Sequence, residues 1–451
     1  MSEIKLSEDQ EVAVQAVFRA LRRGSEAVLT GAAGTGKTTT LRAIVERWQA
    51  GEHREAGLGP VPTCVCPTWK AALRFTQVTG WDATSIHGLI YGRPLERREQ
   101  GRTVLEFNEL ARDKGADRVL IIVDEASMVG TKVYADIAAF ARMKRCKLLF
   151  VGDREQLEPV NEKWGVDFDA PTAALTKVHR QANGSNLLDF VTCVREGRLP
   201  EFTAYGSDVL SLKPIREEDI LSFWQRRPFT GDRILITYTN RLRVGQNNIA
   251  RRALGFAGLP LQRGEALMSF ANRGPLVNGE VVLVTEAPSE VPSDHPAAYF
   301  AALLQRTGIT LQRCSVGPSL EQPGAEVYLL PELLGKLPEA RGDVWKDIGS
   351  LIKSETGGGA SVQFGKLRVT AGSEVNPLVQ AIEVVYKDLI DVDYGYACTA
   401  HKAQGSQWPD VAVLLEPALM KAEGGVEFRR RWLYTAATRA ESSLLLGSLV
   451  G

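Results

Sequence analysis

Several features that would assign a chain to a common class are missing from this sequence of 451 residues. It has no apolar run near the roughly 20 residues needed to cross a bilayer. The first residues, MSEIKLSEDQ, are polar and contain no apolar signal core, so secretion is not indicated. Lysine plus arginine and aspartate plus glutamate number 54 each, which excludes a polycation that coats nucleic acid through net charge alone. We therefore expect no membrane association and a cytoplasmic location.

Cysteine is also scarce. The six cysteines are scattered, with one CxC pair and no CxxC, so neither a zinc ribbon nor a disulfide framework is indicated. Hydrophobic residues at 44% and charged residues at 24% are ordinary for a globular protein. The length predicts roughly two to four domains.

A phosphate-binding loop stands near the amino terminus, in VLTGAAGTGKTTTLRAIVERW at 28–48. In the pattern GxxxxGK[ST], backbone N–H groups close around a phosphate chain, Lys37 reaches the β and γ phosphates, and the Thr38 hydroxyl ligates Mg²⁺. An apolar strand precedes the loop and a helix follows it, so the helix dipole points at the phosphate. The predicted nucleotide contacts of the loop are Gly31, Gly34, Thr35, Gly36, Lys37, Thr38 and Thr39.

Two further apolar strands end in polar residues. Residues 119–123 form a buried parallel-type strand followed by Asp124 and Glu125. Asp124 is expected to bind Mg²⁺ through water or Thr38, and Glu125 to polarise the attacking water. The strand in KLLFVGDREQLEPV leads to Gln156, which we predict senses the γ phosphate. These residues favour hydrolysis over phosphoryl transfer to a metabolite.

The order of these motifs resembles that of superfamily 1 helicases over nearly the whole chain. LSEDQ is similar to the family's Q motif, GDREQLEPV to motif III, LTKVHRQ to motif IV, YACTAHKAQGSQW to motif V and YTAATRA to motif VI. CPTWKAA and TSIHGLI resemble the motifs that touch the DNA strand. The spellings of motifs III and V are similar to the 5′→3′ subgroup that includes RecD and Dda, and the short stretch before the phosphate loop is closer to Dda.

The resemblance implies roles for residues outside the phosphate loop. Gln10 would read the adenine, Gly405 would contact the nucleotide, and Arg180 and Arg439 would act as arginine fingers from a second lobe. The implied catalytic set is Lys37, Glu125, Gln156, Arg180 and Arg439. Contacts to the strand are expected through phosphates and stacking, from Pro67, Thr68, Lys70, His87, Asn240, Thr399, His401 and Lys402.

The predicted fold is α/β, with two RecA-like P-loop lobes and ATP between them. Lobe one takes residues 1–170, and lobe two takes 171–270 and 385–451, with strands in RILITYTN, VAVLLE and SSLLLG. A β-hairpin is expected at about 92–114, where the resemblance implies a strand-separating pin; its polar Glu-Gln-Gly tip leaves a plain surface hairpin as the alternative. Residues 271–384 are expected to form a small barrel, and the resemblance implies that it is SH3-like.

The leading hypothesis is an ATP-driven DNA helicase that moves 5′→3′, uses ATP and Mg²⁺, and is nucleoid-associated or phage-encoded in a bacterial host. Its expected partners are single-stranded DNA, single/double-strand junctions, and single-strand-binding or replication proteins. The alternative is a translocase that displaces proteins from single-stranded DNA without efficient strand separation. A non-hydrolysing scaffold would have lost Lys37, Glu125 or an arginine finger, and a metabolite kinase would not need motifs V and VI.

Overall fold

The computed structural model describes residues 6–52, 54–91, 95–99, 102–106, 110–111, 116–177, 186–198, 209–210, 214–363, 366–369 and 376–449. Within these ranges the α-helices are α1 Glu8–Arg23, α2 Lys37–Ala50, α3 Trp69–Thr79, α4 Ile86–Ile90, α5 Thr131–Lys144, α6 Asn186–Arg195, α7 Glu217–Gln225, α8 Asn240–Ala253, α9 Ala298–Gln305, α10 Pro338–Glu355, α11 Pro377–Asp388, α12 Ala400–Ala403, α13 Pro417–Met420 and α14 Gly425–Ala437. Short 3₁₀ helices occur at Ala126–Met128 and Pro331–Leu333.

The strands in the same ranges are β1 Glu26–Gly31, β2 Thr63–Cys66, β3 Ala83–Ser85, β4 Leu95–Glu99, β5 Arg102–Glu106, β6 Leu120–Val123, β7 Lys147–Gly152, β8 Ala173–Leu175, β9 Val209–Leu210, β10 Pro214–Ile215, β11 Arg233–Thr237, β12 Ala266–Ser269, β13 Val281–Glu290, β14 Gln312–Gly317, β15 Ala325–Leu329, β16 Ala360–Gln363, β17 Lys366–Val369, β18 Val392–Tyr394, β19 Ala397–Thr399, β20 Trp408–Leu415 and β21 Ala440–Leu449. The chain forms two compact units. The first contains the described residues up to 198 with 404–406 and 423–438, and the second contains the remainder.

The sheet of the first unit is parallel, in the order β3-β2-β6-β7-β1-β8. Successive residues of a strand point to opposite faces. In β6, Leu120 and Ile122 contact the core formed with α1 and α2, whereas Ile121 and Val123 contact the core formed with α5. The unbroken apolar run of this strand therefore reflects a sheet that helices cover on both faces.

Helix α1 begins where the Q-motif stretch places a capping residue. Ser7 precedes the helix, and its backbone N–H donates to Gln10 Oε1 at 3.0 Å, which completes a capping box. Val14, Val17 and Phe18 then recur at helical spacing and are fully buried against the sheet. Burial of each such large side chain contributes about 1.5–3 kcal/mol.

The boundary between the lobes differs from the prediction of 170. Strand β8 pairs with β1 from Leu29 opposite Ala173 to Gly31 opposite Leu175, so residues 173–175 belong to the first sheet. Helix α14 also belongs to the first unit, although residues 385–451 were assigned to lobe two. Residues 173–175 and α14 are placed in the first unit by hydrogen bonds to strands and loops that are distant in sequence. The local residue pattern does not predict those bonds.

An antiparallel pair of strands lies in the range predicted for the hairpin. Strands β4 and β5 pair from Leu95 opposite Glu106 to Glu99 opposite Arg102. Of the three residues of the predicted Glu-Gln-Gly turn, Glu99 ends β4, and the two at 100 and 101 lie outside the described residues. Whether this pair acts as a pin stays a prediction.

The second unit contains a parallel sheet with the order β10-β21-β20-β11-β19, in which β9 also pairs with β21. Its central strands are the three predicted from RILITYTN, VAVLLE and SSLLLG. Leu235, Ala412 and Leu445 from these strands contribute to one buried core. This α/β sheet has no phosphate loop of its own.

A second, antiparallel sheet follows in the same unit, with the open order β15-β14-β13-β12-β18. Strands β12 and β18 lie just outside the range 271–384 predicted for the insertion. Helices α9 and α10 lie inside that range, and α11 begins inside it and ends at Asp388. The three helices share a core of their own, which the prediction of a small barrel did not include. The SH3-like interpretation stays a prediction. None of the helices described for this chain is long and apolar enough to span a membrane.

A buried ion pair ties α8 to β18 in the second unit. Arg243 Nη1 donates to Asp393 Oδ2 at 2.7 Å, and the Gly335 N–H donates to Asp393 Oδ1 at 2.6 Å. We expect Asp393→Ala to lower the free energy of unfolding by roughly 3–5 kcal/mol, because an unpaired charge stays buried. Urea-induced unfolding measures the change.

The matched control is Glu355→Ala, which breaks the exposed pair between Arg306 and Glu355. We expect this change to cost less than about 1 kcal/mol. Equal costs for the two variants would contradict the importance of the buried pair.

Candidate functional site

The predicted nucleotide residues meet at one edge of the first sheet. Strands β6, β7 and β1 are adjacent and parallel, so their carboxyl ends lie side by side. Asp124 follows β6, Asp153 follows β7, and Gly31 ends β1. This is the edge at which open α/β sheets bind their ligands.

The phosphate loop has the backbone that its glycines predict. Gly34 and Gly36 have φ angles of 83° and 80°, which glycine adopts without strain. A Cβ atom on Gly31 would lie 2.5 Å from Thr35 Oγ1, so a side chain there would displace the loop. Thr35 is fully buried, and its hydroxyl donates to Ala32 O at 2.8 Å. Its observed role is to hold the loop closed on itself.

Lys37 lies at the start of α2, with its ammonium group over the loop. Its Nζ donates to Gly31 O at 2.6 Å and Ala32 O at 3.2 Å, and it lies 4.0 Å from Asp153 Oδ2. Thr38 and Thr39 are exposed in the first turn of the helix. The loop therefore presents an ammonium group and a hydroxyl beside a helix amino terminus, the arrangement that binds phosphate.

Asp124 and Glu125 follow β6. The backbone N–H of Asp124 donates to Val65 O at 3.0 Å, which continues the sheet by one residue. Burial is the main cause that raises the pKa of Asp124 above its ordinary range, the Glu125 carboxylate raises it further, and Lys37 lowers it. Glu125 itself has a left-handed backbone with φ of 51°, an uncommon conformation for a residue other than glycine. Two carboxyl groups in this position favour binding of a cation.

Asp153 has a partner that the sequence interpretation did not identify. The hydroxyl of Tyr434 in α14 donates to Asp153 Oδ2 at 2.7 Å and accepts the N–H of Ala33 at 2.9 Å. Tyr434 and Asp153 are both buried. Burial raises the pKa of Asp153, while Lys37 and then Tyr434 lower it. One phenol therefore links the phosphate loop to the residue after β7.

The signal for this link lay in the sequence, at the first residue of YTAATRA. The motif was interpreted through Arg439 alone, because an arginine has an evident role beside phosphate. A tyrosine in an apolar helix has no evident partner until the fold brings one to it.

The loop that follows β7 is joined to α14 by further bonds. The Leu157 N–H donates to Thr435 Oγ1 at 2.9 Å, and Arg430 Nη2 lies 2.7 Å from Glu155 Oε2. The predicted phosphate sensor Gln156 is buried in this loop, and its Oε1 has no hydrogen-bond partner among the described residues. An unsatisfied buried acceptor is costly, so this atom is a candidate for contact with a polar ligand.

Two other predicted nucleotide residues have structural roles in this fold. Gln10 Oε1 caps α1 through the Ser7 N–H. Gly405 has φ of 73°, and a Cβ atom there would lie 3.3 Å from Ala71 Cβ, so glycine permits close packing against α3. Contact of either residue with a nucleotide stays a prediction.

The strand-binding residues predicted in the first unit follow β2 and β3 at the same edge. Pro67 and Thr68 come after β2, and Thr68 Oγ1 caps α3 by accepting the Ala71 N–H at 3.1 Å. His87 follows β3 in α4 and is exposed; burial of part of its ring lowers its pKa, which favours the neutral form near pH 7. The nucleotide and strand residues thus occupy neighbouring parts of one edge.

In the second unit, β11 and β19 end side by side, with Thr237 opposite Thr399. Asn240 begins α8 just beyond β11 and is exposed. Glu416, at the end of β20, accepts the N–H groups of Tyr238 and Thr239 at 2.6 and 2.8 Å. This glutamate, which the sequence interpretation quoted only as a strand end, positions the start of α8.

His401 and Lys402 lie in α12, directly after β19. The Lys402 ammonium group lies 4.9 Å above the Phe270 ring and donates to Asn278 Oδ1. Burial lowers the pKa of both His401 and Lys402. Lys402 is thus held in place by an aromatic ring and an amide.

The two predicted arginine fingers have different outcomes. Arg439 lies in the second unit, where its side chain is buried and its carbonyl accepts the Trp408 N–H at 2.9 Å. Arg180 lies outside the described residues. The role of each beside a γ phosphate stays a prediction.

The chain is similar to known proteins over most of its length. Residues 5–209 match the family described as AAA domain, and residues 394–446 match the UvrD-like helicase C-terminal domain. The chain is 28% identical over 423 residues to the ATP-dependent RecD2 DNA helicase of Deinococcus radiodurans, covering 92% of this chain and 45% of that protein. It is 27% identical over 447 residues to the RecBCD enzyme subunit RecD of Mycobacterium tuberculosis, covering 92% of this chain and 65% of that protein.

The chain therefore spans about half to two thirds of the length of these relatives. It is also similar in fold to a solved structure that concerns DNA unwinding at forked double-stranded DNA by two coordinating Pif1 helicases. That similarity has a TM-score of 0.50 at 15% identity and covers 99% of this chain and 93% of that one. It supports the α/β architecture with one parallel sheet in each unit.

The variant Tyr434→Phe tests how much the hydrogen bond from Tyr434 to Asp153 stabilises the fold. We expect this variant to unfold at lower urea concentration, with a cost of roughly 1–3 kcal/mol near neutral pH, because a buried carboxylate loses a donor. The pKa of Asp153 is raised in the folded state and rises further without the phenol. The cost should therefore shrink below pH 4, where the carboxyl is protonated in both states, and grow as pH rises toward neutrality.

Tyr134→Phe is the matched control, because its hydroxyl donates to Glu26 at 3.0 Å in a half-buried position. We expect a smaller cost with a weaker dependence on pH. Equal pH profiles for the two variants would contradict the assignment of Tyr434 as the donor that stabilises Asp153.

Proposed function

We propose that this chain is a superfamily 1 helicase of the RecD and Pif1 type, and that it hydrolyses ATP to move 5′→3′ along single-stranded DNA and to unwind duplex DNA. One observation carries the proposal. The phosphate loop, the Asp124–Glu125 pair and Asp153 with Gln156 follow three adjacent parallel strands at one sheet edge. The residues predicted to touch the strand follow β2 and β3 at the same edge.

The loop is suited to a nucleoside triphosphate. Its left-handed glycines turn backbone N–H groups inward, Gly31 leaves room for close approach, and Lys37 supplies a positive charge. Hydrolysis requires neutralisation of charge on the γ phosphate and orientation of a water molecule. We assign the first task to Lys37 with Arg180 and Arg439, and the second to Glu125 with Gln156.

The donor set also fits a magnesium ion bound together with the phosphates. Thr38 offers an exposed hydroxyl, and Asp124 offers a carboxyl group whose pKa is raised by burial and by Glu125. No group of three or more His, Cys, Asp or Glu able to hold a metal occurs in the described part of the chain. Mg²⁺ commonly binds through one or two protein oxygens and substrate phosphates, and when bound it supplies positive charge to the phosphate oxygens.

The strand contacts are assigned to both units. Pro67, Thr68, Lys70 and His87 serve the first unit, and Asn240, Thr399, His401 and Lys402 serve the second. Each set lies at or just after the carboxyl ends of parallel strands of its own unit. The finer elements of the proposal are the β4–β5 pair as the strand-separating pin, an SH3-like grip formed within 271–384, and single-strand-binding or replication proteins as partners in the cytoplasm of a bacterial host.

Lys37→Ala tests the ATPase assignment. We expect DNA-stimulated ATP hydrolysis to fall by at least roughly a hundredfold, because a cation at the phosphates is lost, while binding of a single-stranded oligonucleotide stays near that of the parent. Phosphate release and fluorescence anisotropy measure the two properties. The control is Arg42→Ala on the same helix, which removes an exposed cation paired with Glu46. Hydrolysis at the parent rate in Lys37→Ala would remove the phosphate loop from the mechanism.

The direction of movement is tested with two duplexes that differ only in the polarity of their single-stranded tail. We expect the 5′-tailed duplex to be unwound in the presence of ATP and Mg²⁺ and the 3′-tailed duplex to stay intact, as measured by release of a labelled strand. The reverse preference would overturn the subgroup and leave the ATPase assignment standing. Failure on both tails, with DNA-stimulated hydrolysis intact, would favour the translocase.

A further inference from the structure

Trp69 is exposed in a way that the other tryptophans of this chain are not. All eight tryptophans lie in described residues, and seven are buried or half-buried, whereas Trp69 is 40% exposed. It is the first residue of α3. Packing of the core does not explain why α3 places a large aromatic ring at the surface.

The rest of α3 holds Trp69 in a defined position. Ala71, Ala72 and Phe75 are buried against the first sheet, so the inner face of the helix is anchored. The Thr68 side chain caps the first turn. Trp69 therefore projects from a fixed backbone, and ordering it on a ligand costs little conformational entropy.

The Trp69 indole also lies close to helix α4. A Cβ atom added to Gly88 would lie 3.7 Å from Trp69 Cζ2, so the ring edge rests near a residue that has no side chain. His87 is the adjacent residue and is exposed. The ring consequently lies between the segment of Thr68 and Lys70 and the segment of His87, the two segments assigned to strand binding in the first unit.

We propose that Trp69 is a stacking platform for one base of single-stranded DNA. This proposal rests on the proposed function. The strand-binding residues Thr68, Lys70 and His87 supply polar and charged contacts, and Trp69 would add a contact to a base. A flat apolar ring flanked by a hydroxyl, an ammonium group and an imidazole matches a nucleotide, whose base is flat and whose phosphate is anionic. Every base has such a face, so the contact is independent of sequence.

The first test measures binding of a single-stranded oligonucleotide by fluorescence anisotropy. We expect Trp69→Ala to weaken binding by roughly 5- to 150-fold and Trp69→Phe to weaken it less, because phenylalanine keeps a ring. Leu73→Ala is the matched control, since Leu73 is 44% exposed one turn further along α3 and has no ring. Parent-like circular dichroism of each variant shows that the fold is retained.

The second test separates stacking from a general loss of surface. An oligonucleotide of the same length whose sugars carry no bases should bind Trp69→Ala and the parent equally. The dependence of binding on salt should be unchanged in Trp69→Ala, whereas Lys70→Ala should reduce the slope of log K against log salt by about 0.7, the value for one phosphate contact on a single strand. Intrinsic fluorescence of the parent should be quenched by the normal oligonucleotide, and Trp69→Phe should lose that quench.

The outcomes distinguish this proposal from the one on which it rests. If the parent binds and Trp69→Ala binds within twofold of it, the stacking role is overturned while the helicase proposal stands. If Leu73→Ala weakens binding as much as Trp69→Ala, or if the baseless strand shows the same loss, the surface serves another contact and the proposal is again overturned. If the parent binds no single-stranded oligonucleotide, both proposals are overturned.

Discussion

Parallel hydrogen bonding between β6, β7 and β1 is the constraint on which the proposed nucleotide site depends. Each strand is short and apolar, and each is stable only because neighbouring strands satisfy its backbone groups and helices cover both of its faces. Once the three strands are in register, the positions of the residues that follow them are fixed at the carboxyl edge of the sheet. The phosphate loop and the acidic residues Asp124 and Asp153 are brought to one edge by this pairing.

The burial that stabilises the sheet also disfavours the charged forms of the carboxyl groups at its edge. Asp153 is buried and Asp124 is half-buried, so the charged form of each carboxyl is costly and the pKa of each is raised. Lys37 offsets part of this cost for both residues, and for Asp153 the Tyr434 hydroxyl offsets a further, smaller part. Asp124 has the Glu125 carboxylate beside it, which raises the pKa of Asp124 further.

In the second unit the polar interior positions loops. Glu416 accepts two backbone N–H groups at the start of α8, and Asp393 accepts from Arg243 one turn into that helix and from the backbone of Gly335. These carboxylates therefore hold the segment that carries Asn240 from two sides. The proposed strand contact of Asn240 depends on this positioning, because a shift of the helix start would move its amide relative to the end of β11.

The sequence by itself determined the phosphate loop, the apolar strands around it and the acidic residues after β6, because each depends on local spacing and on glycine conformation. It also determined the three central strands of the second sheet. Only the tertiary structure decided that 173–175 and α14 join the first unit, that three helices begin within 271–384, and that Tyr434 bonds to Asp153 and Ala33. Those results depend on contacts between residues far apart in the chain, here 281 and 401 positions for Tyr434, and no local pattern records which distant partner a buried polar group will meet.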